Sequence, residues 1–348
     1  MKHLFYLFFL LLVISCTDQK TSLSPVSLFT QTKFISHISI IQPELSQSPY
    51  NLALFDSLLV WSDPFGEYHF TLFDIRNNKQ VLRFGNIGRG PGELMKGSTG
   101  KKYKNNYYAS HDPNQKKVVL YSIPDLALGS AKHYLTTNFT DFGSFYNATP
   151  VNDSLFIGEI YLDESKYALV DHNSHLVFTG YAYPDDGKEL SSNVKFFAYQ
   201  GKFYQNPADQ NLFVHIGSYG AILDFLKIEN NEIVRKNLLS LIIPKYQPLN
   251  ISGARGVILD DNCIIGNCDI AVTKDFIYML YSDNILRNEH RIDNPRNSDT
   301  ILVFDWDGQP IMCYKSDVKL YKICVSEDNK IMYGVIMNPE VALVKLNL

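Results

Sequence analysis

The chain has 348 residues, a net charge of −4 and no long run of basic residues, which excludes the electrostatic signature of a nucleic-acid-binding protein. Hydrophobic residues make up 45% of the sequence, enough for a sizeable core, and the length fits either two domains or one large all-β unit. The 22 Tyr and 22 Phe residues favour β-sheet over helix.

The first residues of the chain predict export. The polar start Lys2-His3 precedes the uncharged run Leu4–Ile14, which suits the core of a signal peptide and is too short to cross a bilayer as a helix. The segment Val13–Cys16 (VISC) resembles a lipobox. That resemblance implies cleavage before Cys16 and acylation of its thiol, which would anchor the protein in a membrane. The alternative is a plain secretory signal with an incidental cysteine.

This interpretation divides the chain into three parts. Residues 1–15 are the predicted signal peptide, and residues 16–30, rich in Ser and Thr, are a lipidated tether. Residues 31–348 are the folded body. No later stretch contains about 18 consecutive apolar residues, so we expect no further membrane segment.

One unit recurs six times along the body. Each copy ends in a run of β-branched and aromatic residues that meets a polar turn, as expected of a strand. These runs begin at His69, Val118, Tyr167, Ile222, Thr300 and Val341. A second predicted strand precedes each of them, at Ser57–Trp61, Asn106–Ala109, Ser154–Gly158, Asn211–Ile216, Asp275–Tyr281 and Lys330–Val335. The spacing is typical of propeller blades, about 40–50 residues, except for a longer gap after the fourth copy that predicts an insertion.

The repeats predict an all-β fold, a six-bladed β-propeller. No long amphipathic helix interrupts them, which disfavours a parallel sheet built from strand–helix–strand units. The last copy ends at a third strand, so the fourth strand of its blade has to come from elsewhere. We expect the β-rich segment Phe34–Ile41 to pair with Val341–Leu348 and to close the ring.

Four cysteines lie in the body, at Cys263, Cys268, Cys313 and Cys324. In an oxidising compartment they allow two disulfides with three connectivities, and the spacing of the first two suits a small loop staple. Buried free thiols are the alternative, because β-rich cores accept cysteine as a small hydrophobe.

The most specific string in the chain is RFGNIGRGPGE, from Arg83 to Glu93. It resembles the glycine-rich signature of the TolB-like six-bladed propeller lipoproteins of Bacteroidetes, which are related more distantly to NHL-repeat propellers. The lipobox, the six-fold unit and the Asp305–Gly308 turn (DWDG) extend the resemblance over nearly the whole mature chain. Membership implies a propeller on the cell envelope and no particular activity, because this fold carries enzymes and binding proteins alike.

The glycines of this string predict a rigid crossing from one blade to the next. Gly90 and Gly92 permit positive φ or close approach of the backbone, and Pro91 fixes one φ. The alternative hypothesis assigns Arg89 and Glu93 to a ligand. A phosphate-cradling loop is excluded, since no Gly-Lys-Ser/Thr and no following helix are present.

Candidate ligand-binding residues lie in the loops between the second and third strand of each blade, on the face that also carries the blade-to-blade crossings. Loops held by a rigid scaffold are where binding groups concentrate. The candidates are Asp63, Tyr68, Arg89, His111, Asp112, Glu159, His215, Tyr219, Asp283, Arg287 and Arg291. The long Ser282–Asp299 loop is the best candidate for a ligand-contacting lid.

The sequence predicts no catalytic, cofactor-binding or metal-binding residues. A Ca²⁺ site in the channel would need converging oxygens, which Asp63, Asp112, Glu159 and Asp283 offer in principle. Acidic residues in such loops mostly form turns. The His111-Asp112 pair invites a general base, but no partner nucleophile is identifiable.

We therefore expect a non-catalytic lipoprotein of the cell envelope, held in the outer membrane by its N-terminal lipid. Its loop face would bind an extended ligand, a glycan or a peptide, or a partner protein of the envelope, and no nucleic acid. The alternative is a Ca²⁺-dependent hydrolase of the lactonase type that uses the central channel.

The lipid assignment is tested by the variant Cys16→Ser. Because acylation requires the thiol, we expect the variant to remain an uncleaved or soluble precursor without lipid. Metabolic labelling with a radioactive fatty acid measures this directly, with the unaltered chain as the positive control. Label retained by the variant would show that Cys16 is not the attachment site.

Overall fold

The computed structural model describes residues 24–41, 49–63, 67–95, 99–139, 145–162, 164–249, 256–287, 294–337 and 340–348. The signal-peptide and Cys16 predictions fall on residues 1–23 and lie outside these ranges. Within them, no helix has the length and apolar character needed to cross a membrane.

Short strands joined by tight turns make up most of the described chain. In chain order they are β1 (Thr32–Ile35), β2 (His37–Ile41), β3 (Asn51–Phe55), β4 (Leu58–Ser62), β5 (Tyr68–Asp74), β6 (Lys79–Asn86), β7 (Thr99–Tyr103), β8 (Tyr107–Asp112), β9 (Lys117–Ser122), β10 (Leu135–Asn138), β11 (Tyr146–Pro150), β12 (Leu155–Glu159), β13 (Tyr167–Asp171), β14 (Leu176–Gly180), β15 (Gly201–Gln205), β16 (Leu212–Gly217), β17 (Ala221–Glu229), β18 (Glu232–Ile242), β19 (Tyr246–Pro248), β20 (Val257–Leu259), β21 (Ile264–Val272), β22 (Phe276–Ile285), β23 (Ser298–Asp305), β24 (Pro310–Leu320), β25 (Lys322–Val325), β26 (Ile331–Ile336) and β27 (Ala342–Asn347). The helices are a 3-10 turn at Pro25–Leu28, α1 (Ile123–Ala127) and α2 (Ser192–Tyr199).

These strands form six antiparallel blades in a ring, which confirms the predicted all-β six-bladed propeller. Blades 1 to 4 are β3–β6, β7–β10, β11–β14 and β15–β18. Blade 5 is β21–β24, and blade 6 is β25–β27 completed by β2. The strand pairs predicted from the six repeats are the second and third strands of the six blades. The first strand of each blade lines the central channel, and the fourth lies at the outer rim.

Each interface between neighbouring blades holds its own apolar core. Between blades 1 and 2, Phe70 meets Tyr108 edge-to-face at 4.9 Å, and Phe84 meets Tyr121 at 5.0 Å. The third strands are buried on both faces because a blade lies on either side. Their sequences are therefore nearly continuous apolar runs rather than alternating ones.

The N-terminal segment closes the ring, as predicted, but only its second half does so. β2 pairs antiparallel with β27, with Ile40 opposite Val344. The first half, β1, instead adds a fifth strand, parallel to β24, at the rim of blade 5. Asp317 holds the chain where it passes from β1 to β2. Its carboxylate accepts 3.0 Å hydrogen bonds from the backbone N–H and from Nδ1 of His37. The predicted single strand is thus two strands on two blades.

The packed body begins before the boundary expected at residue 31. The 3-10 turn Pro25–Leu28 leads into Phe29, whose ring packs edge-to-face on Phe304 of blade 5 at 5.2 Å. Part of the segment predicted as tether therefore belongs to the apolar core between blades 4 and 5.

The predicted insertion after the fourth copy contains the two-stranded sheet of β19 and β20. It packs against α2 from the preceding blade crossing, and the two form an aromatic cap on one end of the ring. The carboxylate of Asp186 holds the cap together, accepting hydrogen bonds from the hydroxyls of Tyr199 (2.9 Å) and Tyr246 (2.6 Å) and pairing with Lys195 at 3.2 Å.

The four cysteines of the body are free and buried, so the structure favours thiols over the disulfide alternative. Cys268, Cys313 and Cys324 belong to three different blade interfaces. Burial raises the pKa of Cys268 to about 12, which keeps its thiol protonated and unreactive.

The glycine-rich string forms the crossing from β6 to β7, where the sequence placed it. Its two ends are joined by hydrogen bonds from Gly88 N to Leu94 O (3.1 Å) and from Leu94 N to Asn86 O (2.9 Å). Gly92 has a φ of +77°, and a β-carbon there would lie 2.1 Å from Nδ1 of His133. The requirement for glycine is therefore confirmed at this position.

Two charged residues of the crossing differ in their role. The Glu93 carboxylate turns inward and accepts a 2.8 Å hydrogen bond from the backbone N–H of Gly90, whose φ is not positive. Glu93 therefore stabilises the loop itself. Arg89 is exposed.

Removal of residues 1–41 tests ring closure. The deletion removes four paired positions from each of β1 and β2, and each lost backbone hydrogen bond costs about 0.5–1.5 kcal/mol. We expect a stability loss of at least about 3 kcal/mol by thermal or urea unfolding, together with exposed apolar surface at blades 5 and 6. Deletion of residues 1–23, which keeps both strands, is the control. Equal stability of the two truncated proteins would contradict the closure model.

The glycine-rich crossing is tested by Gly92→Val. The positive φ and the contact with His133 predict a loss of about 1–3 kcal/mol, the usual scale of local backbone strain. Glu93→Ala should cost about 0.5–1.5 kcal/mol through the lost hydrogen bond, and Arg89→Ala less than about 0.5 kcal/mol. Gly129→Val is the control for backbone strain without a steric clash. Gly129 has a φ of +86°, but no atom lies within 4 Å of the added β-carbon. Urea unfolding that ranks Arg89→Ala above Gly92→Val in cost would refute the structural role.

Candidate ligand-binding site

One end of the ring, here called the loop face, carries the loops between second and third strands together with the blade crossings. The first strand of every blade starts at this end, so the mouth of the central channel opens at its centre. The cap of α2 and β19–β20 belongs to two of the crossings and therefore borders the mouth over blades 3 to 5.

Asp112 is predicted as a ligand contact, but its carboxylate holds the loop face together. Oδ1 accepts hydrogen bonds from the backbone N–H groups of Asn114 (2.9 Å) and Gln115 (3.0 Å). Oδ2 accepts from Met95 N at 2.7 Å and from Gln115 Nε2 at 2.8 Å. The Gln115 amide also donates to Gly88 O at 2.9 Å. This network ties a loop of blade 2 to the glycine-rich crossing.

Glu159 has a comparable role between blades 3 and 4. It lies at the end of β12 with 1% exposure, and Oε1 accepts 2.8 Å hydrogen bonds from Gly201 N and His215 Nε2. Oε2 accepts from Asn147 Nδ2 at 2.5 Å. The carboxylate oxygens are thus occupied by donors from three strands.

The two candidate histidines are buried within β8 and β16, where the sequence placed loops. Burial, and then the charge of Lys101, lower the pKa of His111 to about 3, so this ring is neutral at physiological pH. Burial, and then Lys166, also lower the pKa of His215, against the opposing effect of Glu159. Within the described residues, Nδ1 of His215 has no hydrogen-bond partner. Neither ring reaches the surface of the loop face.

The remaining candidates that the structure describes lie at or near the surface. Tyr68, Arg89, Asp283 and Arg287 are exposed, and Asp63 and Tyr219 are partly buried. Arg287 pairs with Asp261 at 3.4 Å on the surface, a contact worth about 0–1 kcal/mol. Arg291 falls in residues 288–293, outside the described residues, as does part of the predicted lid.

Tyr219 has a partner that the sequence analysis missed. The guanidinium of Arg296 lies 5.5 Å from the centre of its ring, and Nη1 of Arg296 donates to Asn267 O at 3.2 Å. This contact joins blades 4 and 5 beside the channel mouth.

The channel mouth contains a second set of residues that the sequence analysis missed. Lys101, Lys202 and Lys322 each lie within the first three residues of the innermost strand of their blade, in β7, β15 and β25. These strands belong to blades 2, 4 and 6, so the three lysines approach the axis from directions about 120° apart.

These lysines are partly or fully withdrawn from solvent. Lys101 Nζ donates to Thr149 Oγ1 at 2.8 Å and to Phe203 O at 2.9 Å, both on other blades. Lys322, 8% exposed, lies 3.6 Å from Asp269. Lys202 Nζ lies 4.9 Å from the centre of the Tyr50 ring, which precedes blade 1 on the opposite side of the channel.

Below the mouth the channel is narrow. The cavity there measures about 50 Å³ and is lined mainly by apolar side chains from the innermost strands, among them Leu52, Ile270 and Val325. Ligand pockets usually begin at about 300 Å³, so a ligand at this end lies at the mouth rather than in the channel.

Among the described residues, no group of three or more His, Cys, Asp or Glu side chains is placed to hold a metal ion. The signal that was available for the lysines is their recurrence near the start of every second blade, as in Gly100-Lys101, Gly201-Lys202 and Tyr321-Lys322. It was missed because only the second and third strands of each blade carry a strong sequence pattern.

Comparison with known proteins agrees with this architecture. A protein of Bacteroides fragilis described as exported has a similar solved structure, with a TM-score of 0.53 and 12% identity over 91% of this chain and 99% of that one. The β-propeller domain of Cps50 (Swd1) from Myceliophteria thermophila has a TM-score of 0.48 and 11% identity over 90% of this chain and 99% of that one. No curated protein matches the sequence. Residues 29–328 match the family described as TolB-like 6-blade propeller-like, and the chain belongs to that family.

Proposed function

We propose that this protein is a non-catalytic binding protein of the cell envelope that holds its ligand at the channel mouth on the loop face. The observation that carries the proposal is the convergence of Lys101, Lys202 and Lys322 on one point of a rigid surface. Tyr50, Tyr219 and the aromatic cap lie around that point and offer flat surfaces on which a sugar ring or a peptide side chain stacks.

The rigidity of the loop face supports binding rather than catalysis. Asp112, from the general-base candidate pair His111-Asp112, and Glu159, a candidate calcium ligand, already accept hydrogen bonds on both carboxylate oxygens. His111 and His215 are buried and neutral. A ligand at the mouth therefore meets hydrogen-bond donors and aromatic rings, whereas the carboxylates and imidazoles of these candidates are already hydrogen-bonded or buried.

We further propose that the body is exported and attached to the outer membrane through a lipid on Cys16. The lipobox-like segment and the structural similarity to an exported protein of Bacteroides fragilis support this location. Ligands available there include envelope glycans, peptides and partner proteins.

The alternative, a Ca²⁺-dependent hydrolase, requires a set of oxygen ligands that can bind the ion. Calcium takes six to eight oxygen ligands, and the carboxylates offered by the sequence include two, Asp112 and Glu159, whose oxygens are already engaged. We therefore assign these groups to the architecture of the loop face.

The proposal is tested with the full chain in detergent micelles on an array of neutral glycans, uronic-acid glycans and peptides. We expect one of these classes to be retained, and Tyr50→Ala and Tyr219→Ala each to weaken its binding at least about ten-fold, because each removes a ring beside the mouth. Tyr134→Ala, which changes an exposed tyrosine away from the loop face, is the control.

Two outcomes would overturn the assignment. Binding that is lost equally in Tyr134→Ala would place the ligand elsewhere. Hydrolysis of a lactone or an aryl ester by the purified chain, abolished by a calcium chelator, would establish the enzyme instead.

A further inference from the structure

The lysines at the channel mouth reach across the channel rather than along its wall. Lys101, on blade 2, bonds to atoms of blades 3 and 4, and Lys202, on blade 4, lies over Tyr50 of blade 1. Lys202 shares its face of β15 with Tyr204, which lines the channel cavity two residues further on. Together with Lys322 of blade 6, these lysines place three positive charges around the channel axis at the mouth.

The carboxylates near these lysines do not balance their positive charge. Among the described residues, the carboxylates that face them are Asp269 and Glu159. Asp269 accepts a 2.8 Å hydrogen bond from Ile323 N and pairs with Lys322. Glu159 is committed to His215 and to two further donors, as described above. This leaves Lys101, Lys202 and Arg296 without a carboxylate of their own.

These positive groups also repel one another. Burial, and then the charge of Lys202, lower the pKa of Lys101 to about 7, while Glu159 opposes the shift. Burial, and then Lys322, lower the pKa of Lys202 to about 8, with Arg296 acting in the same direction and Asp269 against it. Partly buried, uncompensated cations are costly to the fold, and a bound anion removes that cost.

We propose that the channel mouth binds the oxyanion group of a ligand, a carboxylate or a phosphate, between Lys101, Lys202, Lys322 and Arg296. The inference rests on the proposed function and names the chemistry that its site recognises. The narrow cavity below admits no larger part of the ligand, so the oxyanion is a terminal group or side group, and the rest of the ligand lies on the loop face.

A purely structural role for the lysines makes a different prediction. If they only join the blades by hydrogen bonds, neutralising one of them destabilises the protein. Within the described residues the side chain of Lys202 makes no hydrogen bond or salt bridge, and its ammonium lies over the ring of Tyr50. If the site is built for an anion, Lys202→Gln relieves repulsion and raises the stability of the ligand-free protein, a trade of stability for function.

The experiment titrates the full chain, in detergent micelles at pH 6.5 and low salt, with inorganic phosphate, with glucuronate and with glucose. Calorimetry and thermal unfolding are measured on the same samples. We expect saturable binding of at least one oxyanion, a higher Tm in its presence and no effect of glucose. Binding of phosphate but not glucuronate would indicate a phosphate on the natural ligand, and binding of glucuronate but not phosphate would indicate a carboxylate.

Lys202→Gln is the diagnostic variant. We expect it to weaken oxyanion binding at least ten-fold and to raise the ligand-free Tm by about 1–3 °C. Lys79→Gln, an exposed lysine away from the mouth, is the matched control and should leave both unchanged. Raising the pH from 6.5 to 9.5 should also weaken binding, because Lys101 and Lys202 lose their protons across this range.

The inference fails if neither oxyanion binds, or if Lys202→Gln binds it as tightly as the unaltered chain. In either case, retention of neutral glycans or peptides that depends on Tyr50 and Tyr219 would leave the proposed function standing. If oxyanions bind through Lys202 but no glycan or peptide binding depends on those two tyrosines, the oxyanion site stands and the proposed function fails.

Discussion

The pairing of β2 with β27 is the interaction on which the rest of the structure depends. A ring of blades has no free apolar face only when it is closed, since each of the six cores is shared by two blades. The N-terminal segment supplies that closure and also crosses to blade 5 as β1. One continuous piece of backbone therefore holds both sides of the interface between blades 5 and 6.

Closure also determines the geometry of the channel mouth. Six similar blades around one axis bring residues near the start of every second blade to a common point, which is how Lys101, Lys202 and Lys322 converge although they lie far apart in sequence. Acidic groups such as Asp112 and Glu159 use their hydrogen-bonding capacity to hold loops and crossings in place. On the loop face, Asp112 and Glu159 are thus held by hydrogen bonds, whereas the lysines at the channel mouth repel one another.

The fold could be predicted from the sequence to a large extent, and the candidate site only in small part. The second and third strands of each blade are long apolar runs ending in turns, and those patterns give the blade count and the closing strand. Some of the first strands contain Gly and Lys, as in Gly100-Lys101 and Gly201-Lys202, so their strand pattern is weak and the channel residues were overlooked. The sequence placed His111 and His215 in loops, whereas the strands extend further and bury both rings. Local sequence patterns predict single strands, but they do not show which residues the closed ring brings together at the channel axis.

The closing strand also sets the order in which the protein can fold. β2 lies near the start of the described chain and β27 near its end, so their contacts span most of the described sequence. Blades 1 to 5 can pack on one another as they are made, but β2 has no partner in blade 6 until β27 is synthesised. During that interval β2 presents an unpaired edge of the kind on which aggregation begins. A chain without β27 would keep this edge exposed after synthesis, because β2 would have no partner in blade 6.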